Sequence, residues 1–398
     1  MKQDKIVFYI TNKTPCGEKK QDYYTSGFLP RGLAKKYPEK VFIVDIDAPE
    51  NQAHLLGDKK APLYAFPVDE NYRVTNYSQY SKNAAPLNFA KVGFVIPYTS
   101  SEANPEMLRH ITSSYPENTV FLNNPTSMAK LNSKEALEEV RADADAAKFS
   151  AHINPQTLIS ISKQYEDFIK SYPNTVLRVP RSTEGIGVYI HAPDYLGESE
   201  IASGYEVPNS HQHRIENILA MGPVLATPYI DTKENGDTRV YAVYVPHKGV
   251  QIIENGIGRF APTGTKENPC PKCNHSAGGY LKVYPLTAEQ KTVVTDAMEY
   301  YHDKHGLSVI GFDLLGDTKF PIISEINNSA DGWTCVTHQG KTGDEFLVEA
   351  VDNFYQFVLQ NQGQKNTALD IKAKIPTRQQ RQISTFVQLQ GVRVMEKK

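Results

Sequence analysis

The chain has 398 residues, 40% of them hydrophobic, which is enough for more than one core. Its 43 basic and 45 acidic residues leave a net charge of −2 with no block of like charge, which argues against a non-specific nucleic-acid or anionic-membrane surface. There is no run of about 18 apolar residues and no signal-peptide pattern, and four cysteines are too few for a disulfide framework; the expectation is a soluble cytoplasmic protein without nucleic-acid or membrane partners.

Four apolar runs mark the first part of the chain: KIVFYI from Lys5, KVFIVDI from Lys40, KVGFVIPY from Lys91 and TVFLNN from Thr119. Such runs between polar segments read as strands of a parallel sheet covered on both faces. Gly27 to Tyr37 and Pro105 to Tyr115 supply the crossover helices, so residues 1–123 form an α/β unit. A second unit is expected over 124–225. Good helix formers fill Leu131 to Ala147 behind an Asn132/Ser133 cap. Leu158, Ile161, Tyr165, Phe168 and Ile169 then recur at helical spacing. NTVLRVPRSTEGIGVYI reads as strand, glycine-bearing turn, strand, which is a hairpin. The third unit, 226–362, is strand-rich, with PVLATPYI at its start, then DTRVYAVYV and GVQII. A capping box of Thr287 and Gln290 opens a helix that Gly306 stops. LSVIGFDLLG and KFPIISEINN are two further strands, and a helix near Asp344 to Gln360 closes the unit. The polar, basic segment 363–398 is assigned to no unit. The fold class is α/β, with an α+β C-terminal half.

The strongest chemical signal is GFDLLGDTKFPIISEINN. Asp313 interrupts one apolar run, and Glu325 and Asn327 follow another. Residues i and i+2 of a strand face one side, so Glu325 and Asn327 point together. If the two strands pair as a hairpin, Asp313 joins them. Two adjacent buried carboxylates without a cation are costly. A hard divalent ion relieves that cost, and Mg²⁺ typically takes one or two carboxylates together with substrate phosphates. The alternative is an acidic pair at solvated strand ends.

These residues, with others in order along the chain, resemble the ATP-grasp enzymes and, within them, bacterial glutathione synthetase. NNPTSMAKLNSKEAL is similar to that family's asparagine-proline stretch and lysine-bearing helix. TVLRVPRSTEGIGVYI resembles its strand and glycine loop over the ATP phosphates, and LATPYIDTKENGDTRVYAVYV its adenine hinge and Gly-Asp-x-Arg turn. GRFAP followed by NHSAGG resembles its arginine and its asparagine with paired glycines. GFDLLGDTKFPIISEINNSADGWTC resembles its metal-binding Asp…Glu-x-Asn set. The resemblance covers about 120 to 360. It implies an ATP-grasp fold behind an N-terminal substrate domain, with 124–225 as the lid and 226–362 as the catalytic domain.

The roles implied by the resemblance fall on these positions. Asp313, Glu325 and Asn327 would hold two Mg²⁺ ions. Arg239, Arg259 and Asn274 would approach the transferred phosphoryl group. Lys134 would reach the ATP phosphates, under the loop of Gly185 and Gly187, and Thr227, Tyr229 and Ile230 would line the adenine pocket. Gly278 and Gly279 would let the backbone come close to the reacting groups. The implied activity is an ATP-dependent carboxylate–amine ligase working through an acyl phosphate, on a small-molecule carboxylate and an amino acid or short peptide, as a homo-oligomer. No covalent nucleophile is needed, only aligned reactants, metal ions and cations where charge develops. Asp313→Ala is expected to abolish turnover and keep the fold.

The sequence departs from the pattern in two places. Arg178 stands where the family has a lysine, and is taken as the phosphate ligand; it keeps the charge but as a bidentate fork. VIPYTSSEAN lacks the arginine that serves the family's first substrate, which leaves the carboxylate open. Two other readings stand beside the ligase: an ATP-grasp phosphotransferase, and a nucleotide-binding module without turnover.

Cys270, Cys273 and His275 form a Cys-x-x-Cys pattern, with Cys335 and His338 further on. Three readings remain open: a structural Zn²⁺ site, a redox pair and a reduced loop. SHQHRIENI offers His211 and His213 as metal ligands or as part of a solvated loop.

Overall fold

Three sheets organise the chain in the computed structural model, which describes residues 5–10, 28–72, 77–97, 105–131, 133–180, 187–197, 200–203, 210–234, 236–261, 279–328 and 341–361. The first sheet contains β1 (Lys5–Ile10), β2 (Val41–Asp45), β3 (Tyr64–Pro67), β4 (Ala85–Pro86), β5 (Val92–Ile96) and β6 (Val120–Phe121), in the order β4-β3-β2-β1-β5-β6. The four expected strands pair parallel, β2 with β1, β1 with β5 and β5 with β6. Helices Phe28–Lys36 and Pro105–Ser114 lie where crossovers are expected. β3 and β4 add antiparallel at one edge. They have four and two residues, too short for a periodic signal.

The second sheet is antiparallel throughout. It contains β7 (Thr157–Ile159), β8 (Thr175–Arg178), β9 (Val188–His191), β10 (Glu200–Ser203) and β11 (Val224–Pro228), in the order β10-β9-β8-β11-β7. The expected hairpin is present, with Arg178 opposite Val188. The expected boundary after 225 falls inside β11, whose ladders with β7 and β8 keep it in this sheet.

Two helix expectations need correction. Leu131 to Ala147 is not one helix: it is divided among Pro125–Leu131, Ala136–Arg141 and a 3₁₀ turn at Ala144–Ala146. The Ser133 hydroxyl accepts from the Glu135 amide and the Asp143 carboxylate from the Asp145 amide. Such local bonds compete with helix continuation. The helix expected through Leu158 starts only at Ser162, after β7. Gln164 Oε1 accepts from the Ser160 and Ile161 amides at 2.7 and 3.2 Å and fixes that start. Tyr165 and Phe168 are buried as expected, whereas Leu158 and Ile161 are exposed.

The third sheet contains β12 (Asp237–Val245), β13 (Gly249–Ile252), β14 (Asn255–Phe260), β15 (Tyr280–Pro285), β16 (Val309–Leu315) and β17 (Ile322–Asn327), in the order β15-β14-β12-β16-β17, with β13 on β12. One face carries helix Ala288–His305, capped by Thr287 and Gln290 and stopped by Gly306 at φ 63°. Helix Lys341–Asn361 contacts β12, β5 and helix Phe28–Lys36, and Phe94 stacks on Phe354 and Tyr355. The first and third sheets therefore share one hydrophobic core, while the second sheet keeps two small cores of its own.

Asn123 joins the first sheet to the third. It is fully buried in the left-handed region, at φ 67°. Its Nδ2 donates to the Val309 and Asn328 carbonyls at 2.7 and 2.9 Å, and its Oδ1 accepts from the Ser308 and Val309 amides at 2.6 and 2.8 Å. Asn123→Ala would strip these buried backbone groups of their partner, at a cost of about 2–4 kcal/mol. Chemical denaturation measures this; a loss under about 0.5 kcal/mol would contradict it.

Candidate active site

Cross-strand register builds the site. Arg239 on β12 pairs with Asp313 on β16, and Asp313 pairs with Glu325 on β17. Asp237, two residues before Arg239, pairs with Arg259 on β14. Directly opposed residues share a face, as do i and i+2. One face of the third sheet thus carries Arg259, Asp237, Arg239, Asp313 and Glu325, and the hairpin expected for Asp313 and Glu325 is present.

The centre of this row is a buried ionic network. Arg239 grips Asp313 as a fork, Nε on Oδ1 at 2.6 Å and Nη2 on Oδ2 at 2.7 Å. Arg259 Nη2 contacts Asp237 Oδ2 at 2.5 Å and Asp313 Oδ2 at 2.8 Å. Burial pushes the Asp313 carboxyl upward, but the two guanidiniums outweigh it and hold the group well below the usual carboxylate range. Asp237 goes the other way: burial raises it, and Arg259 offsets only part. By linkage, the Asp313 contribution to stability is present above the ordinary carboxylate pKa and is lost as pH falls below it. The Asp237 burial penalty instead grows as pH rises through that ordinary value.

Two more cations complete the cluster. Lys134 Nζ lies 3.7 Å from Glu325 Oε1, and the Lys134 amide donates to the Pro180 carbonyl at 3.3 Å, just beyond β8. Arg178, at the end of β8, faces the charges of Glu325 and Asp237; burial lowers its pKa against their pull. Its Nε and Nη2 are buried without a hydrogen-bond partner among the described residues, as are Arg259 Nε and Asp237 Oδ1. Among the described residues, four cations (Lys134, Arg178, Arg239, Arg259) face three carboxylates (Asp237, Asp313, Glu325).

The other expected residues fall around this cluster. Asn327 is opposite Gly311, and its Nδ2 lies 3.4 Å from that carbonyl. Thr227 is buried at the end of β11, its Oγ1 accepting from Asn154 Nδ2 at 3.0 Å. The Asn154 amide donates to the Ile323 carbonyl, so Asn154 ties β11 to β17. Tyr229 packs its ring on Tyr195 at 5.2 Å. A Cβ on Gly316, at φ 83°, would lie 3.3 Å from Ile230. Gly187 has φ 67° and accepts from the Val179 amide, closing the hairpin. Gly279 is buried just before β15. Asn274, Gly278, Gly185, Cys270, Cys273, His275, Cys335 and His338 lie outside the described residues.

Sequence reasoning gave no role to Asp237 or Asn154. Asp237 had a readable signal, its i, i+2 relation to Arg239. Asn154 had none, since its partners are distant in sequence. The expectation that Asp313→Ala keeps the fold is revised here. Asp313 neutralises two buried arginines, and removing one partner of such a pair costs roughly 3–5 kcal/mol.

The residues suit a polyphosphate: cations outnumber carboxylates in the cluster, and two buried nitrogens of Arg178 have no acceptor among the described residues. They also suit a divalent ion beside it. A carboxylate offers about four lone-pair positions, so Asp313 keeps acceptor capacity next to Glu325.

No family model matches the sequence. No curated protein matches it either. Solved structures do. A RiPP-associated ATP-grasp ligase from Chryseobacterium gregarium, in complex with ADP and a leader and core peptide, aligns over 90% of this chain and 97% of its own, at 11% identity and TM-score 0.54. The D-cycloserine synthetase DcsG aligns over 87% and 99%, at 13% identity and TM-score 0.52. The D-alanine–D-alanine ligase from Bacillus anthracis, complexed with ATP, aligns over 92% and 100%, at 11% identity and TM-score 0.50. These likenesses, together with the three sheets described above, show that the chain has the ATP-grasp fold.

Proposed function

We propose that this protein is an ATP-dependent carboxylate–amine ligase of the glutathione-synthetase-like kind, releasing ADP and phosphate. The observation that carries the reading is the cluster of four cations and three carboxylates where the second sheet meets the third, with Arg178 Nε and Nη2 buried without a hydrogen-bond partner among the described residues. Buried N–H donors without acceptors are costly, and a triphosphate would supply acceptors for them.

The chain's own residues divide the work. Arg178 and Lys134 receive the phosphates. Arg239 and Arg259 are fixed by Asp313 and Asp237, so they stand oriented before any charge develops, the condition under which electrostatic stabilisation is strongest. Glu325, Asn327 and the remaining lone pair of Asp313 would help hold two Mg²⁺ ions, which neutralise phosphate charge. The second sheet covers the site and limits water, so the activated carboxylate meets the amine first. The peptide and amino-acid ligases among the structural neighbours favour an amino acid or short peptide as amine. The carboxylate is set by the N-terminal unit.

The test is a panel of carboxylates and amines scored by Mg-ATP-dependent phosphate release and product mass. The expected result is phosphate release that needs both substrates and a product weighing their sum less one water. Formation of a phosphorylated product without release of free phosphate would identify a phosphotransferase instead. Glu325→Gln, half-exposed and safe for the fold, should lower the rate by at least about 100-fold; an unchanged rate would contradict the metal assignment.

Arg178→Met gives a separate expectation. It removes buried N–H groups that lack a hydrogen-bond partner among the described residues, so its melting temperature should equal or exceed that of the parent chain. The stabilisation by Mg-ADP seen in a thermal melt should vanish. A retained shift would remove Arg178 from the phosphate site.

A further inference from the structure

The second sheet holds a cluster that the ligase reading does not use. His191 is on β9, Glu200 is its direct partner on the edge strand β10, and His211 opens helix His211–Ala220. His191 Nδ1 lies 3.0 Å and His211 Nδ1 2.7 Å from the same oxygen, Glu200 Oε1. The two imidazole rings are 4.3 Å apart. One ligand atom from each of the three residues falls within 4.8 Å of the others. His213, the other histidine of this segment, is turned to its own helix cap, with Nδ1 at 2.6 Å from Ser210 Oγ.

We propose that His191, Glu200 and His211 form a divalent transition-metal site, with zinc as its occupant, that pins β10 and helix His211–Ala220 to β9. Two imidazoles and a carboxylate are a donor set that zinc accepts, with the fourth position left to water. Each imidazole nitrogen lies about 3 Å from the carboxylate oxygen and all three donors within 4.8 Å of one another, near the spacing of ligands at 2.0–2.2 Å around one ion. The surroundings suit metal binding as well. Glu200 Oε2 is held by Arg214, which fixes the carboxylate and leaves Oε1 for the ion. Tyr165 Oη lies 3.4 Å from His211 Nε2, on the side where an N–H needs an acceptor once Nδ1 ligates. Burial pushes both imidazoles toward the neutral form, with His191 falling to about 4 as His211 adds to the effect. The positive charge of Arg214 sets the affinity below that of a thiolate site.

The second sheet has reason to use such a brace. Among the described residues its two cores hold nine and three buried hydrophobic residues, against the large core shared by the other sheets. Small cores gain most from a metal staple.

The experiment uses the full chain, stripped with chelator and free of nucleotide, to which zinc chloride alone is added. One zinc per chain should bind outside the cysteine segment and raise the melting temperature. His191→Gln should weaken binding at least tenfold and abolish the melting shift. His211→Gln should do the same, which guards against one variant failing to fold. A chain with Cys270→Ser and Cys273→Ser should keep the shift, and its cobalt form should absorb as a nitrogen–oxygen site without thiolate bands. A shift lost only in the cysteine variant, or equal shifts in His191→Gln and the parent, would overturn the proposal.

Discussion

The buried Asp313 carboxylate, shared between Arg239 and Arg259, is the interaction on which the site depends. Each charge would be costly in the interior alone, and their mutual geometry offsets that cost. The arrangement follows from register. Arg239, Asp313 and Glu325 are successive cross-strand partners on β12, β16 and β17, and Asp237 with Arg259 extends the row. A one-residue slip would turn the whole set to the other face. The apolar residues between them, such as Val240, Phe312 and Leu314, are buried and hold that register. The strands therefore specify the core and the polar site together.

The frame around this row is asymmetric. The first and third sheets share a core and are stapled by Asn123, so they act as a base. The second sheet stands on its own small cores and meets the base at a seam, where Asn154 links β11 to β17 and the Lys134 amide bonds Pro180. Arg178 and Glu325 face each other across that seam. Under the proposed function, phosphates bound there would satisfy groups from both sides at once.

Legibility from sequence followed length and locality. The parallel strands of the first sheet, the capped helix from Ala288 and the closing helix were readable because each carries a long local pattern. The Asp313–Glu325 pairing was readable because a hairpin brings near neighbours together. One expected helix was divided and another shortened by short-range polar bonds from Ser133, Asp143 and Gln164, which a count of apolar spacing ignores. The arginine partners of Asp313 were expected at the reacting group, but their grip on the carboxylate depends on β12 and β16, which are far apart in sequence. His191 and Glu200 were missed although they are near in sequence, because β9 and β10 have only four residues each and carry no periodic pattern to set the pairing.

The central claim is that ATP activates a carboxylate as an acyl phosphate before an amine attacks. The most direct measurement labels the carboxylate oxygens of the accepted substrate with oxygen-18 and weighs the phosphate released during product formation. The account predicts one labelled oxygen per phosphate, because the bridging oxygen leaves with the phosphoryl group. Unlabelled phosphate, with product still formed, would contradict it.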